Sequence, residues 1–153
     1  MHRTSDITCL IYRKISKSCL YLRRYKHVII TRDNAVWMWK PLININDIKK
    51  IIIDIQKRRN YWKLSTRRKN LLTLTELGIT QNIAFDLIYN HLEWRDYVSG
   101  PQLDDHAIPG NIWVFGLTIN DYPCYLKFQD RPNGIVMWIS FHKADYSLRF
   151  PYR

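Results

Sequence analysis

Hydrophobic and polar positions along the chain follow two different periods. From Asn111 to His142 they alternate in twos, the spacing of a strand whose successive side chains point to opposite faces. Two groups of turn formers, Asn120-Asp121 and Arg131-Pro132-Asn133-Gly134, divide this stretch into three strands. On the middle strand Cys124, Leu126 and Phe128 share one face, and Tyr125, Lys127 and Gln129 the other. On the third, Met137, Ile139 and Phe141 oppose Trp138, Ser140 and His142. The pattern predicts an antiparallel meander with one buried and one polar face.

Upstream the period becomes helical. Asn46 is placed to cap a helix that carries Ile48, Ile51, Ile52 and Ile55 at i, i+3, i+4 and i+7. A second helix is expected over Lys69 to Leu77, with Leu71, Leu72 and Leu74 inward and Gly78 just past its end. Thr80 caps a third, whose stripe is Ile83, Leu87 and Ile88, flanked by Phe85 and Leu92, and which ends near His91. Asp96 to Pro101 reads as a short extended piece, 102–110 as a polar loop, and Leu148 to Tyr152 as a tail on the sheet edge. The expected fold is therefore α+β over residues 44–153, with N-terminal helices packed on a twisted antiparallel sheet. Residues 1–43 are basic and show no sustained period. A short ordered arm, a flexible extension and an over-extended reading frame with its natural start at Met38 all fit them. Detection of residues 1–37 in the native protein by mass spectrometry would exclude the last.

Composition narrows the class. A chain of 153 residues with 46% hydrophobic residues suits one domain with a sizeable core. Its apolar runs fall far short of the roughly 20 residues that span a bilayer, and no signal-peptide pattern opens it. Cys9, Cys19 and Cys124 make an odd count without C-x-x-C spacing, which fits a reducing cytoplasm better than a disulfide framework. The net charge of +11 is uneven: residues 1–43 hold 9 cations against 2 acids, 44–95 hold 10 against 5, and 96–153 hold 5 against 6. Such a balance favours a polyanionic partner. The densest run contains Lys57, Arg58, Arg59, Lys63, Arg67, Arg68 and Lys69 without an acid, and the interleaved Tyr61 and Trp62 are suited to stack on bases. The same run reads equally well as a solvated helix end and loop.

Candidate chemistry lies on the polar strand face. Metal-free RNA cleavage needs a base for the 2′-hydroxyl, a cation for the developing phosphorane charge and an acid for the leaving oxygen. Imidazole changes charge near neutrality, which suits His142 to acid or base work. Lys127 supplies the cation, and Tyr125 a proton donor or stacking surface; an ordinary polar strand face is the alternative. Ser140 and His142 are neighbours on that face, yet no orienting carboxylate is assigned for nucleophilic catalysis. Asp104-Asp105-His106 offers metal ligands, but adjacent loop ligands seldom converge and no second cluster accompanies them. Neither a metal nor a cofactor is expected. No phosphate-binding Gly-rich loop, G-x-S-x-G or H-E-x-x-H is present, and no helix-turn-helix pattern stands out in the helical region.

The order of short motifs adds a resemblance. Gly78-Ile79-Thr80, Asp96-Tyr97, Gly100-Pro101 and Asp104 are followed by Trp113-Val114-Phe115-Gly116, Tyr125-Leu126-Lys127, Ser140-Phe141-His142, Leu148 and Pro151-Tyr152. As a string covering about half the chain they resemble the MqsR-type toxins of bacterial toxin–antitoxin systems. That resemblance implies a RelE-like ribonuclease fold, metal-independent cleavage of mRNA (free or on the ribosome), and silencing by a cognate antitoxin protein. The family's catalytic Tyr falls on Tyr125 and the neighbouring Lys on Lys127. The founding member's catalytic Lys is replaced here by Ser99 and its Gln by Val114, which leaves His142 to supply the acid/base function. Arg149, with Arg58, Arg59, Lys63, Arg67 and Arg68, then becomes a candidate for contact with the RNA backbone. A non-catalytic RNA- or antitoxin-binding module is the alternative function.

Overall fold

A computed structural model of the protein describes residues 43–153; residues 1–42, with the Met38 start and most of the N-terminal extension, lie outside them. Helix α1 (Ile45–Lys57) buries Ile48, Ile51, Ile52 and Ile55, the stripe its sequence period predicts. Its cap is Asn44 rather than Asn46, because the Asn44 side chain accepts from the Asn46 N–H at 2.9 Å. A 3-10 turn (Arg59–Tyr61) leads into strand β1 (Trp62–Leu64), in the middle of the basic run. Helix α2 (Arg68–Leu77) follows and ends on Gly78, whose φ of 66° is the left-handed conformation that glycine adopts without strain. Helix α3 (Gln81–His91) is capped by Thr80, whose hydroxyl accepts from the Ile83 N–H at 3.3 Å.

Strands β2 (Tyr97–Gln102), β3 (Asn111–Ile119), β4 (Tyr122–Asp130) and β5 (Val136–Lys143) complete a five-stranded sheet in the order β1-β5-β4-β3-β2. The α+β class and both hairpins match the sequence pattern. The sheet, however, is mixed: β1 runs parallel to β5, in the register Trp62↔Val136 to Leu64↔Trp138. Parallel partners need a long crossover and carry no local turn signal, so this pairing is invisible in the alternation. It takes Trp62 into the core, where Nε1 donates to the Ile55 carbonyl at 2.8 Å and the ring lies 5.0 Å from Trp138. Trp62 is thus unavailable for stacking on bases, whereas Tyr61 is exposed.

The inner face of the sheet packs against α1 and α3. Trp138, Phe115, Phe128 and Phe141 from the sheet and Phe85 from α3 are the largest fully buried side chains of this core, and burial of each is worth about 1.5–3 kcal/mol. Trp138 belongs here, on the face opposite to the one its sequence position predicts. Its pairing explains why: Phe128 faces Trp138 and Lys127 faces Ser140, so Ile139 is an extra residue in β5. This β-bulge reverses the alternation, and Trp138 and Phe141 point the same way.

Asn70 holds the bulge. It is 1% exposed; its amide nitrogen donates to the carbonyls of Ser65 (2.9 Å) and Ile139 (3.1 Å), and its oxygen accepts from the Phe141 N–H (3.0 Å). The free edge of β5 beyond β1 is thereby closed by α2 instead of another strand. To place Asn70 inward, with Thr73, Leu74 and Leu77, α2 turns Leu71 and Leu72 outward, each 48% exposed, against the expectation that they face the core. In α3 likewise Ala84, Phe85 and Ile88 are buried while Ile83 is exposed.

The C-terminal tail does more than line an edge. A Cβ on Gly116 in β3 would lie 2.5 Å from Leu148 Cδ1 and 2.8 Å from Phe150 Cζ, so the missing side chain makes room for the tail over the outer face. Tyr152 then packs against Trp94 and Tyr97 and donates to the Ile43 carbonyl, and Arg153 pairs with Asp96. Among the described residues no helix is long and apolar enough to cross a membrane.

Candidate active site

The outer face of the sheet is organised in rows of paired residues. One row runs Gly116–Tyr125–His142, and the next Ser99–Val114–Lys127–Ser140. Val114 is therefore the cross-strand neighbour of Lys127, and Ser99 lies one strand further along the same row. Tyr125 and His142 are stacked, with ring centroids 5.2 Å apart and planes at 20°. The three catalytic candidates of the sequence thus share one face of two adjacent strands. Lys127 makes no ion pair or hydrogen bond with another described residue, so none of them competes with an anionic ligand for its ammonium.

The geometry assigns the proton on His142. Nδ1 lies 2.8 Å from the carbonyl oxygen of Lys143. A carbonyl only accepts, so Nδ1 carries the hydrogen and the neutral ring keeps its lone pair on Nε2. Burial pushes the Tyr125 phenol above its ordinary value, and the nearby Tyr146 adds to the shift, so Tyr125 stays a protonated donor at neutral pH. Cys124 lies on the opposite face. Burial drives its thiol up to about 11, against smaller lowering effects from Lys143 and an Ile119 backbone hydrogen bond, which makes it a poor nucleophile.

Asp145 completes the electrostatics at this end. Lys69 Nζ donates to its Oδ2 at 2.6 Å. That hydrogen bond holds the Asp145 carboxyl below its ordinary value; desolvation opposes the shift, while the charges of Lys69 and His142 favour it. Because the folded value is depressed, the stabilisation is complete above the ordinary aspartate range and is lost as pH falls through the lowered value. In an NMR titration Asp145 is expected to titrate below an ordinary aspartate, and Lys69→Met to return it towards one. An unmoved Asp145 titration in that variant would remove the assignment.

Further along the face lies a cleft of about 550 Å³. Ile112, Met137 and Ile139 contribute its apolar surface, Lys127, Gln129 and Arg131 come from β4 and its end, and Arg67 from the loop before α2. Asp104, Asp105 and His106 reach it from the β2–β3 loop. Gln129, placed on the polar face by alternation, is 0% exposed there. Its Nε2 donates to the Ile108 carbonyl at 3.0 Å and lies 3.5 Å from Asp104 Oδ2, and its Oε1 accepts from Arg131 Nε at 2.9 Å. Among the described residues no three His, Cys, Asp or Glu side chains gather as metal ligands.

The basic candidates divide. Arg58 pairs with Asp130 at 2.8 Å and donates to the carbonyls of Asp54 and Gly134; Arg59 pairs with Asp86 at 2.8 Å over the rings of Trp62 and Phe85. Both guanidinium groups are committed to the fold. Lys63, Arg67, Arg68 and Arg149 are exposed and without an ion pair among the described residues, and the tail carries Arg149 across the same side of the sheet as Tyr125. Sequence reasoning missed the part played by Gln129, Arg131 and Ile139; the only local signal was a glutamine on an otherwise amphipathic strand. No family model, curated protein or solved structure matches the chain.

Proposed function

We propose that the protein is a metal-independent endoribonuclease that cleaves mRNA, acting in the cytoplasm as the toxin of a toxin–antitoxin pair with a RelE-like fold. The observation that carries the chemistry is the juxtaposition of His142, Tyr125 and Lys127 on one sheet face, with a lone pair on His142 Nε2. The toxin context and the antitoxin partner rest on the motif resemblance. In the proposed reaction Nε2 takes the proton of the 2′-hydroxyl as the 2′-oxygen attacks phosphorus. The bond from phosphorus to the 5′-oxygen breaks, and the Tyr125 phenol protonates that leaving oxygen. Lys127 neutralises the charge gathered on the phosphoryl oxygens. The products are a 2′,3′-cyclic phosphate and a 5′-hydroxyl end.

Incubation of labelled mRNA with the purified protein in EDTA, with and without ribosomes, tests the reading. Cleavage supports a metal-free ribonuclease, and the ribosome comparison locates its substrate. RNA that is shifted on a gel but left intact favours the non-catalytic binding module, for which the exposed cations would suffice. In either case Lys63, Arg67, Arg68 and Arg149 are expected to make binding salt-dependent. Replacing Arg68 by Ala should lower the slope of log K against log salt by about 0.7, the value for one single-strand phosphate contact. A slope identical to that of the wild type would remove Arg68 from the interface.

A further inference from the structure

The cleft beside Lys127 has a composition that general RNA-backbone contact does not explain. Its volume of about 550 Å³ is in the range of small-molecule sites, about 300–1,000 Å³. Ile112, Met137 and Ile139 give it an apolar surface, and the β5 bulge is what turns Ile139 outward beside Met137. Lys127, Arg67 and Arg131 surround that surface, and none of them forms an ion pair with a described residue. Arg131 is also held in place: fully buried Gln129 takes its Nε hydrogen and leaves the terminal guanidinium nitrogens without a partner among the described residues.

We infer that this cleft seats the nucleotide adjoining the scissile phosphate of an RNA chain, its base on the apolar surface and its phosphate between Lys127 and Arg131. The inference rests on the reading of the outer face as a ribonuclease site, since Lys127 is shared by the two. An acidic peptide fits less well. Asp104 and Asp105 on the facing loop can accept hydrogen bonds from the amino groups of a base, donors that an acidic side chain does not carry. Gln129 is accordingly a positioning residue, which ties that loop and Arg131 to β4.

The test uses uncleavable 2′-O-methyl ligands with the full chain: the dinucleotides ApA and UpU against the trinucleotides ApApA and UpUpU. At least one trinucleotide is expected to bind about tenfold more tightly than its dinucleotide, the scale of one added stacked base with its phosphate contact. Arg131→Ala should bring that ratio to about twofold or less. Met137→Trp, which fills the cleft from the strand opposite Gln129, should do the same. Equal affinities in the wild type, or a ratio that survives both substitutions, would overturn the subsite. Parallel incubation with the all-ribose trinucleotides separates the two claims. Cleavage without the affinity ratio keeps the ribonuclease and rejects the subsite; the ratio without cleavage keeps the subsite as a binding site and rejects the enzyme. Absence of all binding rejects both.

Discussion

Replacing His142 by Ala is expected to reduce RNA cleavage by about 10²- to 10⁴-fold while leaving the protein folded, since that is the usual contribution of a positioned acid or base. The side chain is only partly buried, on the outer face of β5, and its one hydrogen bond among the described residues is to the carbonyl of the adjacent Lys143. Its removal opens no cavity in the core. The melting temperature should therefore move little, and the loss should appear in the rate of cleavage more than in affinity for uncleavable RNA. His142→Gln is the sharper variant, because it keeps bulk beside Tyr125 but has no basic lone pair to take the proton. Cleavage at the wild-type rate by both variants would sink the assignment of His142. A loss caused by unfolding would show instead as collapse of the far-UV circular dichroism.

Asn70→Leu is expected to destabilise the fold by about 3 kcal/mol or more, read from urea denaturation. The substitution is close in volume, so packing alone predicts a small effect. What it removes is the set of three hydrogen bonds to Ser65, Ile139 and Phe141 at the free edge of β5. Each buried backbone group left without a partner costs about 1–3 kcal/mol. Asn70→Asp isolates the donor half: it can still accept from the Phe141 N–H, but it sets a carboxylate against two carbonyls. If both variants unfold at the wild-type midpoint, the bulge is held by the sheet alone and Asn70 has no structural role. Because the bulge turns Ile139 into the cleft, a folded but loosened Asn70 variant should also lose affinity for the trinucleotide ligands.

The two substitutions concern different levels of the molecule. His142 acts through one lone pair on a surface the fold presents, and Asn70 through the register that makes the surface possible. Tyr125 and Lys127 depend on both. They face outward by alternation in β4, and they meet His142 and Ser140 because the β4–β5 register is fixed on either side of the bulge. The polarity of the site follows the same division. Lys127 is left free of ion pairs by its neighbours on the sheet, while Arg58 and Arg59, equally basic in sequence, are bound by Asp130 and Asp86.

Much of this was determined by the sequence alone, wherever the deciding interactions are local. The isoleucine stripe of α1, the Thr80 cap and the Gly78 stop concern residues within a turn or two of one another. The two hairpins and the faces of β4 follow from turn chemistry and a period of two. The placement of Tyr125, Lys127 and His142 on one face came from the same pattern, because those positions do not cross the bulge. Only the tertiary structure decided the rest. The parallel β1–β5 pair joins segments more than seventy positions apart, which no short-range period records. The extra residue at Ile139 moves Trp138 from the expected polar face into the core, since one inserted residue inverts a period of two. Leu71 and Leu72 yield the inner face of α2 to Asn70 because bonding an unpaired strand edge outweighs burying two more leucines. The cleft exists for the same kind of reason: Arg67, Asp104 and Lys127 come from three separate segments, and only the packed chain brings them together.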